Sequence, residues 1–177
     1  YAGVYDVLDV TDGSIATDIT ANTLKLAGTN SFNGANERNI ADLVVKGNIE
    51  LAENSTTTFG ANSTINNGSE QAAIFKGGKN GSVTFSTNLI GENVAVFADG
   101  LAANVTYNYT GEGTQVILNG YYINNVTLSG SAKEVRGDVT VYGALNSTAS
   151  LLTVLAFASC SAAKDNAGNL YAPEVSP

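Results

Sequence analysis

The side chains that could do chemistry in this 177-residue chain are few and of narrow type. Histidine is absent, so the commonest general base and metal ligand are missing and Ser-His-Asp or Cys-His catalysis is excluded. Cys160 is the single cysteine; it lies in an apolar run, which suits a small buried hydrophobe better than a nucleophile, and it leaves no internal disulfide. Sixteen carboxylates remain. Two of them could in principle hydrolyse a glycosidic bond, but no spacing marks a pair. Asp6, Asp9 and Asp12 recur every third residue, and Asp99-Gly100 and Asp165-Asn166 have the composition of loops. Oxygen-rich loops can hold calcium, yet this spacing fits no EF-hand, and turn formation explains such aspartates more simply. The expectation is no enzyme, no metal site and no cofactor other than covalent N-glycans.

Those glycans are suggested by a second pattern. Eight Asn-x-Ser/Thr sequons occur, at Asn54, Asn62, Asn67, Asn80, Asn104, Asn108, Asn125 and Asn146, none with proline in the middle. With 21 Asn and 32 Ser or Thr in 177 residues, random placement gives roughly four. The sequons are therefore expected to carry sugar on a solvent-facing surface. The plainer reading is that turns and exposed strand faces use these same residues. Arg136-Gly137-Asp138 resembles an integrin-recognition tripeptide and equally makes an ordinary turn before the strand DVTVY.

The net charge is −8 and no basic run exists, so nucleic acid is not an expected partner. No stretch has the roughly 20 apolar residues of a membrane-spanning helix, so no membrane insertion is expected. The negative charge also argues against electrostatic docking on a membrane surface. The chain starts at Tyr1 without methionine, which fits a processed, exported protein and equally a trimmed one.

The elements that must position these residues read as strands. Pro occurs only at Pro173 and Pro177, and β-forming residues alternate with turn dipeptides about every ten residues from Glu53 onward: Asn67-Gly68, Gly77-Gly78, Asn80-Gly81, Asp99-Gly100 and Asn119-Gly120. No repeat period continues along the chain, which disfavours a solenoid. The expected fold is all-β, an antiparallel β-sandwich-like body over residues 15–177 preceded by an N-terminal arm and hinge, residues 1–14. The arm YAGVYDVLDV is apolar on both faces, with Val4, Leu8 and Val10 on one and Tyr1, Tyr5 and Val7 on the other, so it is expected to lie in a groove. The run Ala149 to Cys160, ASLLTVLAFASC, is expected to be a central strand buried on both sides, with Leu152 and Leu155 on opposite faces.

The arm, the hinge TDGS and the sequon-dense body together resemble subunits of archaeal extracellular filaments of the N-glycosylated thread type. The resemblance implies a cell-surface homopolymer in which Tyr1, Val4, Tyr5, Val7, Leu8 and Val10 form a donor strand completing the next subunit's sheet, with a role in adhesion or biofilm. A competing resemblance rests on GNIELAENSTTTFGANSTINNG and NGSVTFSTNLIG. These phrases look like passenger repeats of bacterial autotransporter adhesins, which form parallel β-helices, and on that reading the sequons are accidental.

Overall fold

A computed structural model describes residues 2–32, 43–60, 74–86, 95–98, 105–117, 120–122, 124–154 and 159–164. The strands are β1 (Gly3–Thr11), β2 (Ser14–Ile15), β3 (Ile19–Ala27), β4 (Thr29–Phe32), β5 (Leu43–Leu51), β6 (Thr56–Phe59), β7 (Ile74–Gly77), β8 (Ser82–Phe85) and β9 (Ala95–Ala98). They continue as β10 (Thr106–Tyr109), β11 (Gln115–Ile117), β12 (Gly120–Tyr122), β13 (Asn125–Leu128), β14 (Lys133–Val135), β15 (Asp138–Ser147), β16 (Leu152–Val154) and β17 (Ser159–Lys164). No helix occurs among the described residues, so none there is long and apolar enough to cross a membrane.

Every strand pairing is parallel. Strands β1-β3-β5-β7-β9-β12-β15 form a first face, with β17 added to β15; β2-β4-β6-β8-β10-β13 form a second. The long strand β15 bends from one to the other: Val139 to Val141 pair with β12, and Leu145 to Ser147 pair with β13. A third face, β11-β14-β16, closes the later turns. The chain therefore winds as a parallel β-solenoid, each rung lying on the one before.

The antiparallel sandwich is thereby overturned, and the turn chemistry explains how. Gly77-Gly78 and Asn80-Gly81 have hairpin composition, and a hairpin would pair β7 with β8. Instead β7 pairs with β5 and β9, and β8 with β6 and β10. The left-handed residues turn a corner between faces rather than reversing the chain. The corners after β1, β3, β5 and β7 have them: Asp12 (φ 47°), Gly28 (φ 72°), Asn54 (φ 58°), and Gly77, Gly78 and Asn80 (φ 82°, 77° and 55°), whereas β15 passes from one face to the other without one. At Gly77 a Cβ would stand 2.0 Å from the Leu51 carbonyl oxygen of the rung below, so rung-to-rung approach also demands glycine.

The repeat escapes a periodicity search because the rungs differ in length. On the second face Phe32, Phe59, Phe85, Tyr109 and Leu128 stand in register, separated by 27, 26, 24 and 19 residues. The rungs shorten where the third face appears as regular strand. Inside, these five side chains are buried, and Leu8, Leu24, Ile49, Phe75, Tyr122 and Val141 approach them from the first face. Phe32 and Phe59 stack at 4.6 Å, Phe59 and Phe85 at 5.5 Å, and Tyr109 continues the column 4.8 Å from Phe85. Phe75 meets both Phe59 and Phe85 edge-on.

Two further expectations fail. The N-terminal arm is the first rung of its own chain, β1 pairing with β3 from Gly3↔Ile19 to Thr11↔Ala27, not a donor strand held free for a neighbour. It is covered on one face only: Leu8 and Val10 are buried and Tyr5 is half-buried, while Val4 and Val7 are 83% and 48% exposed. Tyr1 lies outside the described residues. The apolar run ASLLTVLAFASC is not one central strand. The winding splits it between β16 on the third face and β17 on the first, and Leu151, Leu152 and Val154 are 58%, 36% and 41% exposed. Leu155 lies outside the described residues.

Candidate functional site

Period-two alternation on the second face sends every other side chain outward. Two columns result. One runs Thr29, Thr56, Ser82, Thr106, Asn125; the other runs Ser31, Thr58, Thr84, Asn108, Thr127, Asn146. All eleven side chains are hydroxyls or amides, none is charged and none is buried. The register of this face passes from β4 to β15 without a recorded shift, whereas the first face slips between Ala21 and Thr23 and again between Val141 and Ala144. Neighbouring rungs stand about 4.8 Å apart and successive outward residues about 6.6 Å apart along the strand. The aromatic column lies directly behind.

Charge is placed elsewhere. On the outward side of the first face Asp9, Lys25, Glu50 and Lys76 stand in register, alternating in sign. Such cross-strand neighbours contribute about 0.2–1 kcal/mol each and favour the native register. A shallow groove of about 230 Å³ runs beside them, lined in part by Asp9, Lys25 and Glu50. Asp6 accepts a hydrogen bond from Asn22 Nδ2 (2.9 Å), and Asp12 Oδ1 accepts one from Thr29 N (2.9 Å) across a corner. Of the three-residue Asp series, then, two members bind within the fold and one joins the charge ladder. No group of three metal-ligating side chains occurs among the described residues. In the Arg-Gly-Asp tripeptide, Arg136 Nε lies 2.7 Å from Glu134 Oε1, and Asp138 opens β15.

The sequons follow the same alternation. Asn54 and Asn80 are exposed corner residues in left-handed conformation, and their Thr56 and Ser82 are the first outward residues of the next strands. Asn108, Asn125 and Asn146 are themselves in the outward columns. Asn125 Oδ1 also accepts a hydrogen bond from Ala144 N (3.0 Å) where β15 bends. Asn62, Asn67 and Asn104 lie outside the described residues. A sequon has its two polar positions two apart, and so does a strand face. For the five described sequons, placement at a corner or on a strand face gives this spacing with or without sugar.

Sequence reasoning missed two buried polar residues, Gln115 and Lys133, which pair in register on the third face. Gln115 Nε2 donates to the Phe85 carbonyl (2.7 Å) and Oε1 accepts from Gly111 N (2.9 Å). Lys133 Nζ donates to the carbonyls of Gly111 and Ser131, both at 3.1 Å. Burial lowers the Lys133 pKa below 10.5. Both side chains tie the corner at Gly111 to adjacent rungs, and a lone Gln or Lys in a short strand gives no advance sign of that. The outward columns were legible in principle as Thr-x-Thr, Ser-x-Thr, Thr-x-Asn and Asn-x-Thr in successive strands of the face, but only once those strands are aligned in parallel. Comparisons with protein families, with curated proteins and with solved structures found no match for this chain.

Proposed function

We propose that this chain is a shaft segment of an exported, cell-surface adhesive protein, as the resemblance to passenger repeats implies. One observation carries the reading. The two phrases that resemble those repeats include the end of β5 from Gly47 onward, β6 and β8, and they lie on consecutive rungs, with β6 and β8 in parallel register from Thr56↔Ser82 to Phe59↔Phe85. A solenoid suits that task because each rung adds length at constant cross-section, and its contacts are with neighbouring rungs. Eight strands stacked on the first face span about 34 Å at roughly 4.8 Å per step. The corners take polar, exposed residues such as Asn54 and Asn80, where sugar would be tolerated.

The test is made on the native cells. Surface biotinylation should label the protein on intact cells, and an in-frame deletion of residues 43–85 should shorten the shaft in negative stain and reduce attachment. Recovery of the protein only from the cell interior, or unchanged attachment after the deletion, would defeat the reading.

A further inference from the structure

We propose that the second face binds ice, its ligand being crystalline water presented as a repeating lattice. This goes beyond the shaft reading and does not depend on it. The two outward columns form a two-dimensional array, and a periodic array is complemented best by a periodic ligand. Its rung spacing of about 4.8 Å is near the shorter repeat of hexagonal ice, and its column spacing of about 6.6 Å falls somewhat short of the longer one. The array is without charge in a chain of net charge −8, so it does not select an ionic ligand.

Other uncharged ligands fit less well. Sugar rings and protein partners are commonly gripped by exposed aromatic or apolar anchors. Here Phe32, Phe59, Phe85 and Tyr109 all point inward, and the outward columns contain no apolar side chain larger than the threonine methyl. Water in a lattice needs the opposite: small hydroxyls and amides to anchor some molecules, and methyl groups that leave their neighbours undisturbed. Six of the eleven positions are threonine, which supplies both groups on a χ1 of limited freedom. The stacked rings behind hold the strands in place, so little order remains to be gained on binding. Each contact is weak, and simultaneous engagement of several rungs makes their sum effective. Asn108, Asn125 and Asn146 belong to this face, so sugar on them would cover it, whereas Asn54 and Asn80 stand at its corners.

The experiment uses the purified full chain, produced without glycosylation. Its partition into a slowly growing ice hemisphere and its thermal hysteresis are measured. The wild type should enter the ice and depress the freezing point below the melting point. Thr84→Tyr and Thr56→Tyr, each raising a ring above the array, should cut incorporation at least tenfold. Thr23→Tyr, on the outward side of the first face, should leave it unchanged. Circular dichroism verifies folding; should Thr84→Tyr fail to fold, the exposed Thr56 carries the same test. Exclusion of the wild type from ice to the same extent as a non-binding protein would overturn the proposal. So would wild-type incorporation by folded Thr56→Tyr, or retention on cellulose or chitin particles without entry into ice.

Discussion

Replacing Phe59 with alanine tests whether the aromatic column is the axis of the core. Phe59 is fully buried, stacked between Phe32 at 4.6 Å and Phe85 at 5.5 Å and met edge-on by Phe75 at 6.5 Å. Truncating a buried phenylalanine costs about 3–5 kcal/mol in transfer and cavity terms. Each ring pair is worth about 0.5–1.5 kcal/mol beyond area burial, and three are lost together, so the upper half of that range applies. The rings above and below belong to a continuous backbone ladder and cannot close the gap without breaking register. Against a total stability of about 5–15 kcal/mol, the variant should be close to unfolding or visibly less cooperative. Urea melts followed by far-ultraviolet circular dichroism and by tyrosine fluorescence provide the assay. The buried tyrosines Tyr107, Tyr109 and Tyr122 lie on later rungs, so the fluorescence midpoint should fall less than the dichroism midpoint if the solenoid frays around the lesion. Coincident transitions with a loss below about 1 kcal/mol would refute the reasoning, because a column that can be interrupted so cheaply does not hold the rungs together.

Three further substitutions probe separate features. Thr57 Oγ1 is buried without a hydrogen-bond partner, so Thr57→Val should stabilise the chain by about 1 kcal/mol in the same urea melt, and an equal loss would contradict that. Gly77→Ala must accept a left-handed backbone and a Cβ 2.0 Å from the Leu51 carbonyl, whereas Gly113→Ala has the same kind of backbone (φ 77°) and open space. The second should lose about 1–2 kcal/mol and the first clearly more; equal losses would mean that the rungs are not closely apposed at Leu51. Lys133 has a lowered pKa because of burial, so the unfolded chain holds its proton to higher pH than the folded one. Stability should therefore rise with pH across the window from the folded value up to 10.5, and the rise should be smaller in Lys133→Met, measured as the difference between the two urea midpoints at pH 7 and pH 10.

The strand content was legible because Val, Ile, Tyr, Phe and Thr alternate with turn residues, and an alternating strand looks the same in any sheet. Parallel winding was not, because Gly77-Gly78 and Asn80-Gly81 have the composition of a hairpin whether the next strand returns beside the last or turns onto a new face. Phe32, Phe59 and Phe85 carry the repeat, but the unequal insertions between them conceal it. The arm misled for a related reason. Tyr5 and Val7 suggested a second covered face beside that of Val4, Leu8 and Val10, yet Val4 and Val7 both lie on the outer side of the first rung, where Val4 is 83% exposed. Only part of the polar columns was read as sequons, as at Asn125-x-Thr127, which recorded a spacing of two residues without revealing that successive strands would align them.

The unequal rungs also bear on how the chain acquires its structure. Each rung closes on one completed some 17 to 27 residues earlier on the second face, as from Ser31 back to Ser14 or from Phe59 back to Phe32. No described strand waits for a partner from the far end of the chain. Order can therefore advance from one end, each finished strand offering its free edge as a template for the next. A polypeptide of this kind need not be whole before it begins to fold. If it emerges through a narrow opening, every rung completed outside is too wide to slip back, so folding itself makes the passage one-way.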